Sequence, residues 1–377
     1  MGIGSLFEAS IGSVNRRDFI KVCTAAAAAV GLPAWAGEKM AEKVARGHKP
    51  SVIWLHYQEC TGCTESLLRA SAPDVAELIL DLVSLDYHET LFAAAGKQIE
   101  AALEKAMEEN KGKYILVVEG AIPLKDDGIY CYVGGKKAVD TLKRVAADAA
   151  AVIAIGSCAS WGGIPASYPN PTHAVGAPEV LKGSGKAIIT LPGCPANPYN
   201  LLGTVLQYAT FGSLPKLDER GRPLFAYARV IHEDCQRRPH FDAGRFAQVF
   251  GDEGHRNGHC LYKLGCKGPQ THANCSLLSY CELPGAWPVG IGHPCVGCAE
   301  QGIMFGGDTK RETPIYTNLP IEKPTAPFAY PGVGPAQGKI APAATAVAGL
   351  VVGAVAGAAF VASRKLSKEE PEDEGRK

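Results

Sequence analysis

The chain has 377 residues, with 38 acidic and 38 basic side chains and a formal net charge of zero. No basic stripe interrupts that balance, so nucleic acid is excluded as an expected partner. A hydrophobic content of 46% suits a protein with a sizeable core, long enough for two domains and tails.

The first element in the chain is a targeting segment. Asn15-Arg16-Arg17-Asp18-Phe19-Ile20-Lys21 places two adjacent arginines before an Ala-rich run from Val22 to Ala34, which ends at Ala34-Trp35-Ala36. Charge, apolar run and an A-x-A cleavage site in that order read as a twin-arginine export signal over residues 1–36. Cys23 lies in the part to be removed.

Residues 50–215 alternate short apolar runs with amphipathic stretches. Strands are expected over residues 51–56, 79–85, 114–118, 152–155 and 187–191, with helices over 97–109 and 137–150. Five such strands with helices between them make an α/β domain with an open parallel sheet, and a flavodoxin-like strand order is expected.

Cysteines follow those strands. Cys60 and Cys63 come after the first, Cys158 after the fourth and Cys194 after the fifth. All four are therefore expected beyond the carboxyl ends of strands, where open α/β sheets bind ligands. Four converging thiolates would hold a soft metal: an iron–sulfur cluster or zinc. Glycines at 62, 156 and 193 let the backbone come close.

From residue 216 to about 307 helical periodicity fades, and Pro, Gly, His and Cys become frequent. His232-Glu-Asp-Cys235 comes first, then Cys260, Cys266 and Cys275, and lastly His293-Pro-Cys295-Val-Gly-Cys298. A segment so poor in regular structure is expected to draw order from metal, since metal-binding energy is folding energy. Residues 308–339 read as a linker. Residues 340–363 carry no charge over 24 positions, a length of roughly 36 Å as a helix, enough to cross a bilayer. Gly349, Gly353 and Gly357 give that helix a small-xxx-small face. Arg364, Lys365 and Lys368 follow, which places the tail 364–377 in the cytoplasm and the body in the periplasm.

Together these residues resemble the small subunit of exported, membrane-anchored [NiFe] hydrogenases of the uptake type. The resemblance is carried by Glu59-Cys60-Thr61-Gly62-Cys63-Thr64-Glu65-Ser66, Gly156-Ser157-Cys158-Ala159, Leu191-Pro192-Gly193-Cys194-Pro195, Gly265-Cys266-Lys267-Gly268-Pro269 and the 293–298 segment. It implies three cofactors in a line. A proximal [4Fe–4S] cluster would take Cys60, Cys63, Cys158 and Cys194. A distal [4Fe–4S] cluster would take His232, Cys235, Cys260 and Cys266. A medial [3Fe–4S] cluster would take Cys275, Cys295 and Cys298, with Pro288 where a fourth thiolate would otherwise stand. Cys281 as a fourth ligand would make it [4Fe–4S]; as a packed thiol it leaves the site with three. Cys131 is expected to be a packed thiol.

The same resemblance implies that the nickel–iron centre sits in a large-subunit partner, and that this chain has no catalytic residue of its own. It carries electrons from hydrogen oxidation toward a membrane acceptor, either a cytochrome b or quinone-linked iron–sulfur and membrane subunits. Oxygen-tolerant members carry two extra cysteines where this chain has Gly62 and Gly163, so an oxygen-sensitive enzyme is expected. Glu59 and Thr61 are candidates for a proton path, or a solvated acid and a turn threonine. His56, His259, His272 and His293 are candidates for donating N–H bonds near the clusters. One competing reading is a membrane-anchored periplasmic binding protein held by disulfides or zinc. Another is a small quinone-reductase subunit, which accounts for less of the chain.

Overall fold

The computed structural model describes residues 34–45, 49–70, 83–280 and 285–305, together with Thr24 and Ala27. The twin-arginine motif, Cys23, Cys281, the linker, the 340–363 segment and the tail lie outside those residues. Among the described residues no helix is long and apolar enough to cross a membrane.

Five parallel strands form the centre: β1 (Ser51–His56), β2 (Ser84–His88), β3 (Ile115–Glu119), β4 (Ala151–Ile155) and β5 (Ile188–Leu191). Their order across the sheet is β2-β1-β3-β4-β5, the flavodoxin-like order expected from the alternating pattern. The residues of β1, β3 and β4 are all buried, as strands covered on both faces must be.

Alternation along the strands sorts the core into two faces. Ile53, Leu55, Leu116, Val118 and Val152 pack against Leu103 of α3 (Lys97–Glu109) and Leu142 and Val145 of α4 (Ala138–Ala147). Val52, Trp54, Val117, Ile153 and Leu191 face the other way. They pack against Leu201, Leu202 and Val205 of α6 (Pro198–Phe211). That second core continues into Tyr227, Ile231, Leu261, Trp287 and Val289. The irregular segment therefore closes one face of the sheet.

One strand departs from expectation. β2 begins at Ser84, at the end of the apolar stretch 79–85, and runs on through Asp86 and His88. It is an edge strand, and its polar residues are used in pairing. Ser84 Oγ donates to Asp86 Oδ1 at 2.6 Å, and Ser51 Oγ on β1 donates to the other oxygen of the same carboxylate. Apolar content alone is a poor guide to such a strand.

α1 (Ala34–Ala45) begins on the expected cleavage site. Ala36 is buried, and the Trp35 ring meets Phe211 of α6 edge-on at 6.0 Å between centroids.

Candidate metal centres

Strand register puts His56, Glu119, Ile155 and Leu191 side by side across β1, β3, β4 and β5. Each strand ends on this row, so the residues that follow all emerge on one edge. α2 (Gly62–Leu68) starts in the turn after β1 and brings Cys63 inward. α5 (Gly156–Trp161) starts directly after β4 and carries Cys158. The Pro192-Gly193-Cys194 turn follows β5.

These four thiols lie close enough for their charges to act on one another. Burial pushes the Cys63 thiol well up, and negative charge on Glu119, Cys158 and Cys194 adds to the shift. Burial likewise raises Cys158 to about 12, with Cys194 and Cys60 contributing. Thiols so placed resist ionisation unless a cation supplies compensating charge. The turns come close because glycines form them. At Gly156, where φ is +78°, an added Cβ would lie 2.5 Å from Cys63 Sγ. At Gly163 it would lie 2.6 Å from Cys158 Sγ, and at Gly62 3.0 Å from Cys60 Sγ. Side chains at 62 and 163 would therefore reach the ligand sulfurs.

Glu119 is a site residue that the sequence reading missed. It is 2% exposed. Its Oε1 accepts from the Cys63 and Thr64 amides at 3.0 and 3.2 Å. Its Oε2 accepts from Thr64 Oγ1 at 2.6 Å and Trp54 Nε1 at 3.1 Å. A carboxylate ending a wholly apolar strand at the switch of strand order was the available signal. Nearby, Glu59 Oε1 accepts from Thr61 Oγ1 at 3.1 Å and lies 3.3 Å from His56 Nδ1.

The second set lies in the irregular segment. His232 sits on a 3₁₀ turn, Ile231–Asp234, that ends at Cys235. Burial and the Arg238 charge lower its pKa to about 4, so the imidazole is neutral, the form that binds metal. Its ring meets Phe241 edge-on at 4.5 Å, and Phe241 packs at 5.4 Å on Tyr262, two residues past Cys260. Burial raises Cys260 to about 12, with Cys266 and Cys235 adding to it.

Cys275, Cys295 and Cys298 line a cavity of about 440 Å³, together with Pro288, Tyr280 and Cys194. Burial raises Cys275 and Cys298 each to about 12. Pro288 borders the same cavity as the three thiols. Among the described residues, the histidines beside ligands do not donate to sulfur. His272 Nδ1 lies 2.7 Å from Glu300 Oε1, and His293 Nδ1 lies 2.8 Å from Pro294 O. Backbone amides do so instead: Arg237 N to Cys235 Sγ at 3.4 Å and Cys295 N to Cys266 Sγ at 3.3 Å.

The spacing of the sulfurs separates the possible occupants. The eleven described cysteines are free thiols. Four sulfurs around one zinc at 2.3 Å would stand about 3.8 Å apart. Among the described residues, only His56, Glu59 and Glu119 bring three ligand atoms within 4.8 Å of one another. Among the described residues no three cysteine sulfurs come that close to one another. Cys131 is half-buried and joins none of the sets; burial raises its thiol.

Behind the medial thiols lies a charged network. Arg222 reaches Asp218 at 2.7 Å and Glu300 at 2.8 Å, and Arg220 reaches Glu300 at 2.5 Å. Burial alone would raise the Glu300 carboxyl, but hydrogen bonds from Arg222 and the His272 amide hold it below its usual range.

Comparison with known proteins agrees with this layout. Residues 60–208 match the family described as NADH ubiquinone oxidoreductase, 20 Kd subunit. Residues 227–309 match the family of the C-terminal part of the NiFe/NiFeSe hydrogenase small subunit. The chain is 52% identical to the hydrogenase-2 small chain of Escherichia coli, over 96% of this chain and 95% of that one. It is 47% identical to the quinone-reactive Ni/Fe-hydrogenase small chain of Wolinella succinogenes, over 76% of this chain and 80% of the relative. A reduced, active Ni-Fe-Se hydrogenase from Desulfomicrobium baculatum superposes with a TM-score of 0.62 at 34% identity, covering 67% of this chain and 94% of that one. With strand-end thiols, a cysteine-rich closing segment and relatives that span its length, the chain belongs to the [NiFe] hydrogenase small-subunit family and serves hydrogen oxidoreduction as its electron-transferring subunit.

Proposed function

We propose that this subunit serves an exported, membrane-bound uptake hydrogenase. Its Cys60, Cys63, Cys158 and Cys194 would hold a [4Fe–4S] cluster. His232, Cys235, Cys260 and Cys266 would hold a second, and Cys275, Cys295 and Cys298 a [3Fe–4S] cluster. When bound, these groups supply one-electron chemistry. The protein buries most of their ligands, Cys60 being exposed, and donates amide N–H bonds to Cys235 and Cys266. The observation that supports this reading is that Cys60, Cys63, Cys158 and Cys194 follow strand ends on one edge of the sheet while Cys275, Cys295 and Cys298 line one cavity.

The direction is from a nickel–iron large subunit toward a quinone or cytochrome b in the membrane. Uptake and quinone-reactive relatives support that choice. So does the arginine pair at one end and the uncharged 24-residue stretch at the other. Ile164 and Tyr168, after Cys158, are exposed apolar residues near the first site and suit the large-subunit face. Gly62 and Gly163 leave the first site with four thiols, which supports an oxygen-sensitive enzyme.

Anaerobic purification of the membrane complex tests this. The expected result is a large subunit with nickel, acid-labile sulfide in this chain, and EPR signals from three distinct centres. Hydrogen uptake should reduce quinone and fail under air. A colourless chain with zinc or disulfides would overturn the cluster assignment, and sustained uptake in air would overturn the oxygen reading.

A further inference from the structure

The four-thiol site and the three-thiol site are joined by one hydroxyl. Ser157 precedes the ligand Cys158 and is 1% exposed. Its Oγ donates to the Cys298 carbonyl at 2.5 Å and accepts from the Gly193 amide at 3.0 Å. Its own amide donates to the Gly193 carbonyl at 2.9 Å. One small side chain thus links the turn carrying Cys194, the helix carrying Cys158 and the loop carrying Cys298.

The Cys194 turn is held from the opposite side as well. Tyr227 Oη donates to Pro192 O at 2.8 Å, and Tyr280 Oη donates to Pro195 O at 2.9 Å. Both tyrosines come from the irregular segment. Three hydroxyls therefore grip the residues flanking Cys194; of these, Tyr280 also reaches the Cys275 thiol and Ser157 the Cys298 backbone, and Ser157 alone of the three is next in sequence to a first-site cysteine.

We propose that Ser157 is the positioning residue for electron passage between the four-thiol site and the three-thiol site. Its hydroxyl holds the Cys298 backbone against the Gly193–Cys194 turn and so fixes the gap the electron crosses. One electron passes at a time. A group held by Cys60, Cys63, Cys158 and Cys194 would be oxidised as one held by Cys275, Cys295 and Cys298 is reduced, with no bond made or broken. The inference rests on the cluster reading above.

Ser157→Ala in the intact large–small complex tests it. Freeze-quench EPR after hydrogen addition gives the rate at which the three-thiol site is reduced, normalised to hydrogen–deuterium exchange, which reports on the large subunit alone. With iron content equal to wild type, the rate should fall on the order of tenfold, as small misplacements of reacting groups do. Ser157→Thr, which keeps the hydroxyl, should restore it. If Ser157→Ala assembles too little iron, Tyr227→Phe loosens the same turn from the other side and should slow passage in the same direction. Full iron with an unchanged rate in Ser157→Ala, or failing its assembly in Tyr227→Phe, would overturn the inference. A wild-type complex without iron–sulfur signals would instead overturn the reading beneath it.

Discussion

The sheet region and the irregular segment are ordered by different means. Residues 51–191 are held by a parallel ladder of backbone hydrogen bonds between two apolar layers. Residues 224–305 contain only short helical turns and isolated bridges among the described residues. Their fixed points are the thiol sets and the Arg222–Glu300–Asp218 network. A region without ladders leans on its share of the apolar core and on directional bonds to buried polar groups, and a bound metal centre would be the strongest of these bonds.

The largest test of that contrast is withdrawal of iron. In the chelated complex, amides over 224–305 should lose protection from hydrogen exchange while those of β1, β3 and β4 keep theirs, as mass spectrometry would read. Equal loss in both regions would erase the distinction. Next in size is Arg222→Met, which leaves Glu300 to Arg220 and His272 and takes from Asp218 its guanidinium partner. Unfolding in denaturant should be easier by about 1–3 kcal/mol. A Glu300→Gln partner substitution should return part of it, since the two residues are in contact. Smallest is Ile153→Val in the centre of the sheet, where the side chain is 1% exposed. It should cost about 1 kcal/mol, and iron stoichiometry should stay at the wild-type value.

Much of this was legible before the structure. Strand period and run length located β1, β3, β4 and β5 within a residue or so, because central strands of a parallel sheet are apolar throughout. β2 was displaced because an edge strand spends polar residues on pairing. The place of Cys60, Cys63, Cys158 and Cys194 just after strands was legible in the sequence, as was the Gly and Pro beside them. Glu119, Ser157, Tyr227 and Arg222 were not. Each acts through a partner 35 to 141 positions away, and no local pattern records such a partner. The histidines beside the ligand cysteines misled in the opposite sense: adjacency in sequence suggested bonds to sulfur that backbone amides make instead.

The four thiols of the first site are spread over 135 positions, from residue 60 to residue 194. They share an edge only once β5 has joined β4, which is the last strand pairing of the sheet in chain order. A cofactor held by these four thiols would therefore report on completed tertiary structure. A nascent or truncated chain ending before Cys194 has three of the four ligands and no closed cradle. For a protein read as crossing the membrane already folded, a filled first site would certify the sheet before departure.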